Sequence, residues 1–290
     1  MLIKSLKTNF SIHNTRHIYV TDNYLKFSCS LFLVPLLLLT GIIIFLYKED
    51  ALSIDHYIRI QKDCFYFLNA KLSQYSIILF NLTQLGDEIV MLSLLSVFVL
   101  YAPKVWEALI SASLVSCIFS CLLKKIFAVP RPAAVFDHHT FVIIGKTLNG
   151  HNSLPSGHSI TAFTILTILL FAFMPKKLNY KILWYLFIIS LGLIVVLSRV
   201  GVGAHYPLDV IIGGTIGYIS GLLGIFINEK YTVWTWISNK KYYPIFISVF
   251  LICSICIINK IRNENLFVFY LALMSLIISL YKIIHVYIKK

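Results

Sequence analysis

The sequence predicts an all-α, polytopic membrane helix bundle. Of its 290 residues, 59% are hydrophobic and only 13% are charged, and the mean hydropathy is +0.84. Soluble globular domains are less apolar and carry about twice this share of charged residues. The apolar residues also form runs close to the roughly 20 residues that an α-helix needs to cross a bilayer. Composition and run length together therefore indicate a multi-pass membrane protein.

Eight apolar runs are the predicted membrane spans. They are residues 28–47, 87–103, 106–128, 156–174, 181–198, 206–227, 242–259 and 265–284. The first run follows a polar, basic segment, is long for the core of a signal peptide, and has no small-residue cleavage site before Lys48. We therefore expect it to be a retained first span.

The segment 64–84 is only moderately apolar, because it contains two asparagines, two glutamines and a lysine. We interpret it as an interfacial or re-entrant helix that ends at Gly86. The alternative is a ninth span, which would invert the orientation of the C-terminal half.

Basic residues lie in short connectors between the apolar runs, although the formal net charge is +13. With eight spans, both chain ends lie on one side, together with Lys104 and the loop at 175–181. Excess lysine and arginine in short loops marks the cytoplasmic side. We therefore expect a cytoplasmic N-terminal segment at 1–27. The lipid bilayer, rather than nucleic acid, is the expected partner.

Six cysteines form two close pairs and two isolated residues. Cys253 and Cys256 have C-x-x-C spacing, whereas Cys117 and Cys121 are four residues apart. Both pairs lie inside apolar runs without a second pair of ligands. We interpret them as small residues of membrane helices, in preference to a metal or redox site, and we expect no disulfide framework.

Three short patterns of ionisable residues lie at the ends of apolar runs, where charge is costly and indicates function. In the first pattern, Arg131-Pro132 follows Lys124 by seven residues. Pro130 and Pro132 disfavour a continuous helix, so we expect Lys124 at a helix end and Arg131 in an extended segment. The arginine fork and the lysine point charge suit phosphate oxygens. The alternative is a pair of snorkelling residues at a membrane edge.

The second pattern, Pro155-Ser156-Gly157-His158, opens the fourth run. Ser156 is a favoured N-cap, and Gly157 leaves the backbone accessible. The free N–H groups of a helix N-terminus bind anions, and His158 would lie in the first turn beside the anion. The alternative is an ordinary helix start with an interfacial histidine.

The third pattern is Ser198-Arg199, followed by His205 and Asp209. Because His205 and Asp209 are four residues apart, we expect them to share one helical face. The carboxylate would accept a hydrogen bond from one imidazole nitrogen and leave the other as a nucleophile or base. Arg199 would reach the same anion across a glycine-containing turn. The alternative is a structural buried Asp–His pair.

In this order the three patterns resemble the type 2 phosphatidic acid phosphatase superfamily of integral-membrane lipid phosphatases, which shares its site with vanadium haloperoxidases. The resemblance extends over residues 86–227, and more loosely over the first span. It implies a six-span core at 28–227 and two additional C-terminal spans in 228–290. Every motif position is filled, by Lys124, Arg131, Pro132, Pro155, Ser156, Gly157, His158, Ser198, Arg199, His205 and Asp209.

The resemblance implies a two-step reaction with three catalytic residues. His205 would attack phosphorus and form a phosphohistidine, Asp209 would orient His205, and His158 would protonate the leaving oxygen and then help to activate water. The implied substrate-binding donors are Lys124, Arg131, Ser156, Gly157 and Arg199. No carboxylate cluster suited to Mg²⁺ lies beside these residues in the sequence, so we expect neither a metal nor another cofactor.

The predicted function is therefore metal-independent hydrolysis of a membrane lipid phosphate or pyrophosphate. The resemblance implies a substrate of the undecaprenyl diphosphate or phosphatidylglycerol phosphate type, at the periplasmic or extracellular face of a bacterial-type inner membrane. Alternatives within the class are a lipid A phosphatase and a lipid-to-lipid phosphotransferase. Outside the class, the alternative is a lipid or ion transporter with a basic cleft. We expect no specific role for the loop histidines His138, His139 and His151.

Overall fold

The computed structural model describes residues 28–288. Its helices are α1 (Leu33–Lys48), α2 (Ile54–Leu72), α3 (Ser76–Gln84), α4 (Glu88–Leu94), α5 (Phe98–Tyr101), α6 (Pro103–Phe127), α7 (Pro132–Val135), α8 (Gly157–Ala172), α9 (Leu178–Gly201), α10 (Pro207–Tyr231), α11 (Tyr243–Glu264) and α12 (Phe267–Ile288). No strand occurs within this range. The predicted all-α polytopic bundle is confirmed, whereas the expected cytoplasmic segment at 1–27 lies outside the described residues.

Six helical stretches in this range are long and apolar enough to cross a membrane. They contain α1, α6, α9, α10, α11 and α12. Helices α2 to α4 could form a seventh, broken span or a re-entrant loop, since the chain bends by 72° where α3 meets α4. Helix α8, which corresponds to the predicted span 156–174, has only 16 residues. The chain is therefore a multi-pass membrane protein.

The predicted continuous span at 87–103 is wrong. Short helices α4 and α5 occupy this stretch, and α4 ends at Leu94. The carbonyl of Leu94 accepts a hydrogen bond from Ser275 Oγ at 2.9 Å, and the carbonyl of Leu95 accepts one from Trp106 Nε1 at 2.9 Å. Distant side chains thus satisfy backbone groups that a continuous helix would pair internally, and helix ends need such partners.

Helix α10 packs tightly against α8, and this contact sets the two helix starts beside each other. Gly213, Gly217 and Gly221 lie one turn apart on α10. A Cβ atom at Gly213 would lie 2.7 Å from the carbonyl oxygen of Ser156, and one at Gly221 would lie 2.9 Å from that of Thr164. Small residues allow such close approach between membrane helices. The start of α10 is thereby held against the start of α8.

The segment between α6 and α8 folds back over these helix starts. The amide of Arg131 donates to the carbonyl of Gly150 at 3.0 Å, and the amide of Ser153 donates to that of Val129 at 2.9 Å. Aromatic rings hold this segment against α2 and the start of α10. They are those of Phe65, Phe141 and Tyr206, which are buried, and of Phe136, which is partly buried. The segment therefore has a fixed position above the bundle.

Helices α11 and α12 form a C-terminal hairpin. The hairpin packs chiefly against α4 through an apolar cluster that includes Val90, Phe250, Phe269 and Leu276. The division of the chain into a core at 28–227 and an additional part at 228–290 stays a prediction.

Candidate active site

The ends of three helices bring the predicted residues together. Helix α6 ends at Phe127, followed by Ala128 with φ of +46°, and Arg131 is extended with φ of −75° and ψ of 159°. Both features confirm the predicted break between Lys124 and Arg131. A Cβ atom at Gly157 would lie 2.9 Å from Lys124 Nζ, so the ammonium group lies directly over the backbone that opens α8.

His205 and Asp209 form the centre of the site, and both are almost fully buried. His205 Nδ1 lies 3.5 Å from Asp209 Oδ2. The expectation that they share a helical face is wrong, because His205 lies in the turn before α10. The pair is brought together by the helix start, where Asp209 Oδ2 accepts a hydrogen bond from the amide of Tyr206 at 3.0 Å.

Two further hydroxyl groups hold the Asp209 carboxylate, and sequence reasoning missed both. Tyr57 on α2 donates to Oδ1 at 2.8 Å, and Ser153 donates to Oδ2 at 2.6 Å. Ser153 Oγ also lies 3.4 Å from His205 Nδ1. Both carboxylate oxygens therefore have donors, and such bonds stabilise a buried negative charge.

Arg131 fixes the tautomer of His205. Its Nη1 lies 3.3 Å from His205 Nε2, and its Nε donates to Asn152 Oδ1 at 2.7 Å. Because a guanidinium group only donates, Nε2 is the acceptor and the neutral ring carries its proton on Nδ1, facing Asp209. The lone pair of the imidazole is thus on Nε2, beside the Arg131 guanidinium group.

Burial and positive neighbours determine the charge of His205. Burial makes the largest contribution, and Arg131, Arg199 and Lys124 add to it, so the pKa of His205 lies well below its ordinary value. The imidazole is therefore neutral at pH 7, which is the form that can act as a nucleophile.

Arg199 closes the other side of the site from the last turn of α9. Its Nη1 donates to Thr83 Oγ1 on α3 at 2.6 Å, a contact that sequence reasoning missed. Its Nε is buried and has no hydrogen-bond partner among residues 28–288. A buried guanidinium with a spare donor is suited to an anionic ligand.

Ser156 and His158 lie at the start of α8, as predicted. The buried Ser156 hydroxyl is the N-cap and accepts from the amide of Ser159 at 3.4 Å. The His158 ring makes no hydrogen bond within the described part of the chain, and lies within electrostatic range of Arg199, His205 and Lys124. Its nitrogens are therefore free to meet a ligand.

The loop histidines and the cysteines lie outside this cluster. His138 Nε2 is 2.8 Å from the carbonyl oxygen of Ala133, and His139 and His151 are exposed. All six cysteines are free. Between residues 28 and 288, no group of three or more histidine, cysteine, aspartate or glutamate side chains could hold a metal ion. The absence of a metal from the reaction stays a prediction.

Comparison with known proteins shows what this region of the chain resembles. Residues 104–232, which carry the whole cluster of predicted residues, match the model of the PAP2 superfamily. The predicted resemblance to this superfamily is confirmed. Bacitracin transport permease protein BcrC of Bacillus licheniformis is 41% identical over 71 residues, which make up 24% of this chain and 31% of that protein. The chain thus spans about a third of the curated relative that it matches.

A solved structure gives a second likeness. The crystal structure of Aquifex aeolicus LpxE is 26% identical, and the match covers 58% of this chain and 95% of that one with a TM-score of 0.48. The resemblance to the PAP2 superfamily rests on the motif residues and on the family match, which agree over the same region.

Proposed function

We propose that this chain is an integral-membrane phosphatase that hydrolyses a lipid phosphate or pyrophosphate through a phosphohistidine intermediate. The observation that carries the proposal is the position of His205. Its Nδ1 faces Asp209, and its Nε2 faces Arg131, which is where a phosphoryl oxygen would bind. A neutral imidazole, oriented on one nitrogen and beside cations on the other, suits attack on phosphorus.

In the first step, His205 Nε2 forms a bond to phosphorus and the bond to the leaving oxygen breaks. Asp209 stabilises the positive charge that develops on the ring through Nδ1–H. His158 donates a proton to the leaving oxygen. In the second step, His158 accepts a proton from water, the water oxygen bonds to phosphorus, and the P–N bond breaks to release phosphate and restore His205.

Cations and backbone donors take the place of a metal in this mechanism. Lys124, Arg131 and Arg199 surround the reacting position, and the amide of Gly157 and the hydroxyl of Ser156 lie at the helix start beneath Lys124. Such preorganised donors stabilise the charge that develops on the phosphoryl oxygens. Activity should therefore survive EDTA and be inhibited by vanadate, which adopts five-coordinate geometry. Loss of activity in EDTA that Mg²⁺ alone restores would refute this metal-independent mechanism.

The proposed substrates are of the undecaprenyl diphosphate or phosphatidylglycerol phosphate type. Three cations suffice for one phosphoryl group and part of a neighbouring phosphate, and the exposed side chains of α1, α6 and α9 are mostly apolar, as a lipid-facing surface requires. A lipid A phosphatase and a lipid-to-lipid phosphotransferase would use the same residues. Release of free phosphate distinguishes hydrolysis from transfer to a second lipid.

The proposed location is a bacterial-type inner membrane, with the site at the periplasmic or extracellular face. The lysines of the loop at 175–181 support a cytoplasmic position for that loop, and the loop at 129–155 would then face outward. Single cysteines placed in each loop of a cysteine-free variant can be labelled in intact cells with an impermeant reagent. Labelling at 175–181 but not at 129–155 would invert this topology.

A transporter is the second candidate, since the curated relative carries the name of a transport permease. A transporter needs the cations but not the histidine nucleophile. Purified protein should release phosphate from a panel of prenyl diphosphates, diacylglycerol phosphates and lipid A, and His205→Ala should abolish this release. Lipid transport in vesicles without phosphate release, unaffected by His205→Ala, would overturn the proposal in favour of transport.

A further inference from the structure

The segment from Asn81 to Asp87 connects the C-terminal hairpin to the candidate active site. It comprises the end of α3 and the bend before α4, and we call it the bend segment. On one side Thr83 Oγ1 accepts the 2.6 Å hydrogen bond from Arg199. On the same side the backbone of Gly86 packs against His158, and a Cβ atom at Gly86 would lie 2.6 Å from the Cβ atom of His158. The bend segment thus touches two of the proposed functional residues.

The other side of the bend segment is fixed by the hairpin. Lys260 Nζ on α11 lies 2.9 Å from Asp87 Oδ2, and the other oxygen of Asp87 caps α4 by accepting from the amide of Val90 at 3.1 Å. Asn81 Oδ1 accepts from the amide of Val268 at the start of α12 at 3.0 Å. One contact comes from each helix of the hairpin, so both helices hold the bend segment.

Local turn bonds and contacts from the hairpin together hold this bend. The chain turns by 72° here, and the helical hydrogen bonds stop at the bend. The amides of Gly86 and Asp87 are satisfied by short turn bonds to Thr83 and Gln84 at 3.1 and 3.0 Å. A broken helix of this kind depends on tertiary partners for its geometry, and the hairpin supplies an ion pair and a hydrogen bond.

We infer that the C-terminal hairpin positions Arg199 and His158 through the bend segment, with Lys260 and Asp87 as positioning residues for the proposed phosphoryl transfer. The inference rests on the proposed function and gives the two C-terminal helices a role in it. Arg199 is held by Thr83, and His158 cannot move toward α4 without displacing Gly86. Asp87 also acts electrostatically on Arg199, which places the ion pair close to the site.

The test uses full-length protein and measures kcat and KM for phosphate release from a prenyl diphosphate and a diacylglycerol phosphate. Lys260→Met should lower kcat by about threefold to tenfold and leave KM nearly unchanged, because small displacements of catalytic groups slow the chemical step. Lys260→Arg should keep most of the activity. Asp87→Asn, which retains an acceptor for the α4 cap, should repeat the loss. Tyr270→Phe is the matched control, because it removes only a hydrogen bond to Asn265 within the hairpin and should leave kcat unchanged.

A double-mutant cycle distinguishes positioning from general stability. Thr83→Val should lower kcat by itself, and combining it with Lys260→Met should lower kcat by less than the product of the two single effects, since both act on Arg199. Independent, multiplicative effects would overturn the inference, as would wild-type kcat in both Lys260→Met and Asp87→Asn. If Lys260→Met does not fold, the kcat of Asp87→Asn alone tests the inference. Wild-type protein without phosphatase activity would refute the proposed function instead.

Discussion

Helices α6 and α10 lie side by side and bury polar side chains at both of their ends, but the unpaired groups at the two ends differ. At the end that carries the candidate site, both oxygens of Asp209 accept hydrogen bonds, and the buried atoms without a partner among residues 28–288 include Arg199 Nε and the Tyr206 hydroxyl, both of which can donate. At the opposite end, Glu107 and Asn228 are buried, and each has a side-chain oxygen without a partner among residues 28–288.

This difference offers a criterion for a candidate anion site in a membrane bundle. Buried polar residues are normally paired, so the character of the unpaired ones indicates the ligand. Spare donors with satisfied acceptors favour a phosphate. At the opposite end Lys104 Nζ lies 2.8 Å from Glu107 Oε2, and the two unpaired atoms, Glu107 Oε1 and Asn228 Oδ1, are acceptors. Burial and charge alone would not distinguish the two ends, because both contain buried ionisable side chains.

The largest effect should come from the nucleophile. His205→Ala should lower kcat by on the order of 10⁴-fold or more, as is typical when a catalytic nucleophile is removed. Phosphate release by purified protein measures the effect. His139→Ala, in an exposed loop histidine, is the control and should have wild-type activity. A His205→Ala variant that releases phosphate at the wild-type rate would show that the donor-rich end is not a catalytic centre.

His158 should give the next largest effect, and one that depends on the substrate. His158→Ala should lower kcat/KM for a diacylglycerol phosphate by on the order of 10²–10⁴-fold, the usual contribution of a general acid. A diphosphate leaving group needs less protonation than an alkoxide, so the loss for a prenyl diphosphate should be smaller. Measuring both substrates on both proteins tests this, and an equal loss on the two would exclude His158 as the leaving-group acid.

Substitution of Tyr57 tests whether the hydrogen bonds to the Asp209 carboxylate matter for activity. Tyr57→Phe removes one donor to the carboxylate, and a hydrogen bond to a charged group contributes about 1.5–3 kcal/mol. We expect kcat to fall roughly tenfold or more, because the unsatisfied carboxylate holds His205 less firmly. The control is Tyr66→Phe on the same helix, where the hydroxyl instead contacts Thr140 at 3.0 Å. Similar activity in both variants would mean that Tyr57 only packs against the site.

Sequence patterns predicted the motif residues but not the groups that hold them in place. Lys124, Arg131 and His158 were recognisable because each lies at the end of an apolar run. Tyr57 and Thr83 are single hydroxyls on helices with no motif, separated by 152 residues from Asp209 and by 116 from Arg199 respectively. Only the packed fold brings such pairs together.

Ser153 is a different case, since it lies two residues before the second motif, and its position there could have indicated a role at the site.

The bend near Gly86 was partly visible in the sequence, as the predicted end of a re-entrant helix. The split of the predicted span at 87–103 was not visible, because the side chains that end α4 come from Trp106 and Ser275. Local hydrophobicity reports how apolar a stretch is, whereas distant partners decide where its helix stops.

The smallest effect is expected at the opposite end of α6, where Glu107→Gln changes a buried carboxylate to an amide of nearly equal size. The side-chain hydrogen bond of Glu107 comes from Lys104, at the end of α6 away from the candidate site. Distant sites without shared partners act independently, so kcat/KM should change by less than about twofold. The same change at the site, Asp209→Asn, replaces one accepting oxygen by a donor that faces Ser153 or Tyr57, and should cost at least about 10²-fold. Thermal unfolding of both variants in detergent provides the control for folding. If Glu107→Gln remains folded and lowers kcat/KM as strongly as Asp209→Asn does, the two ends are coupled. Unpaired donors would then not distinguish the end that carries the candidate site from the opposite end.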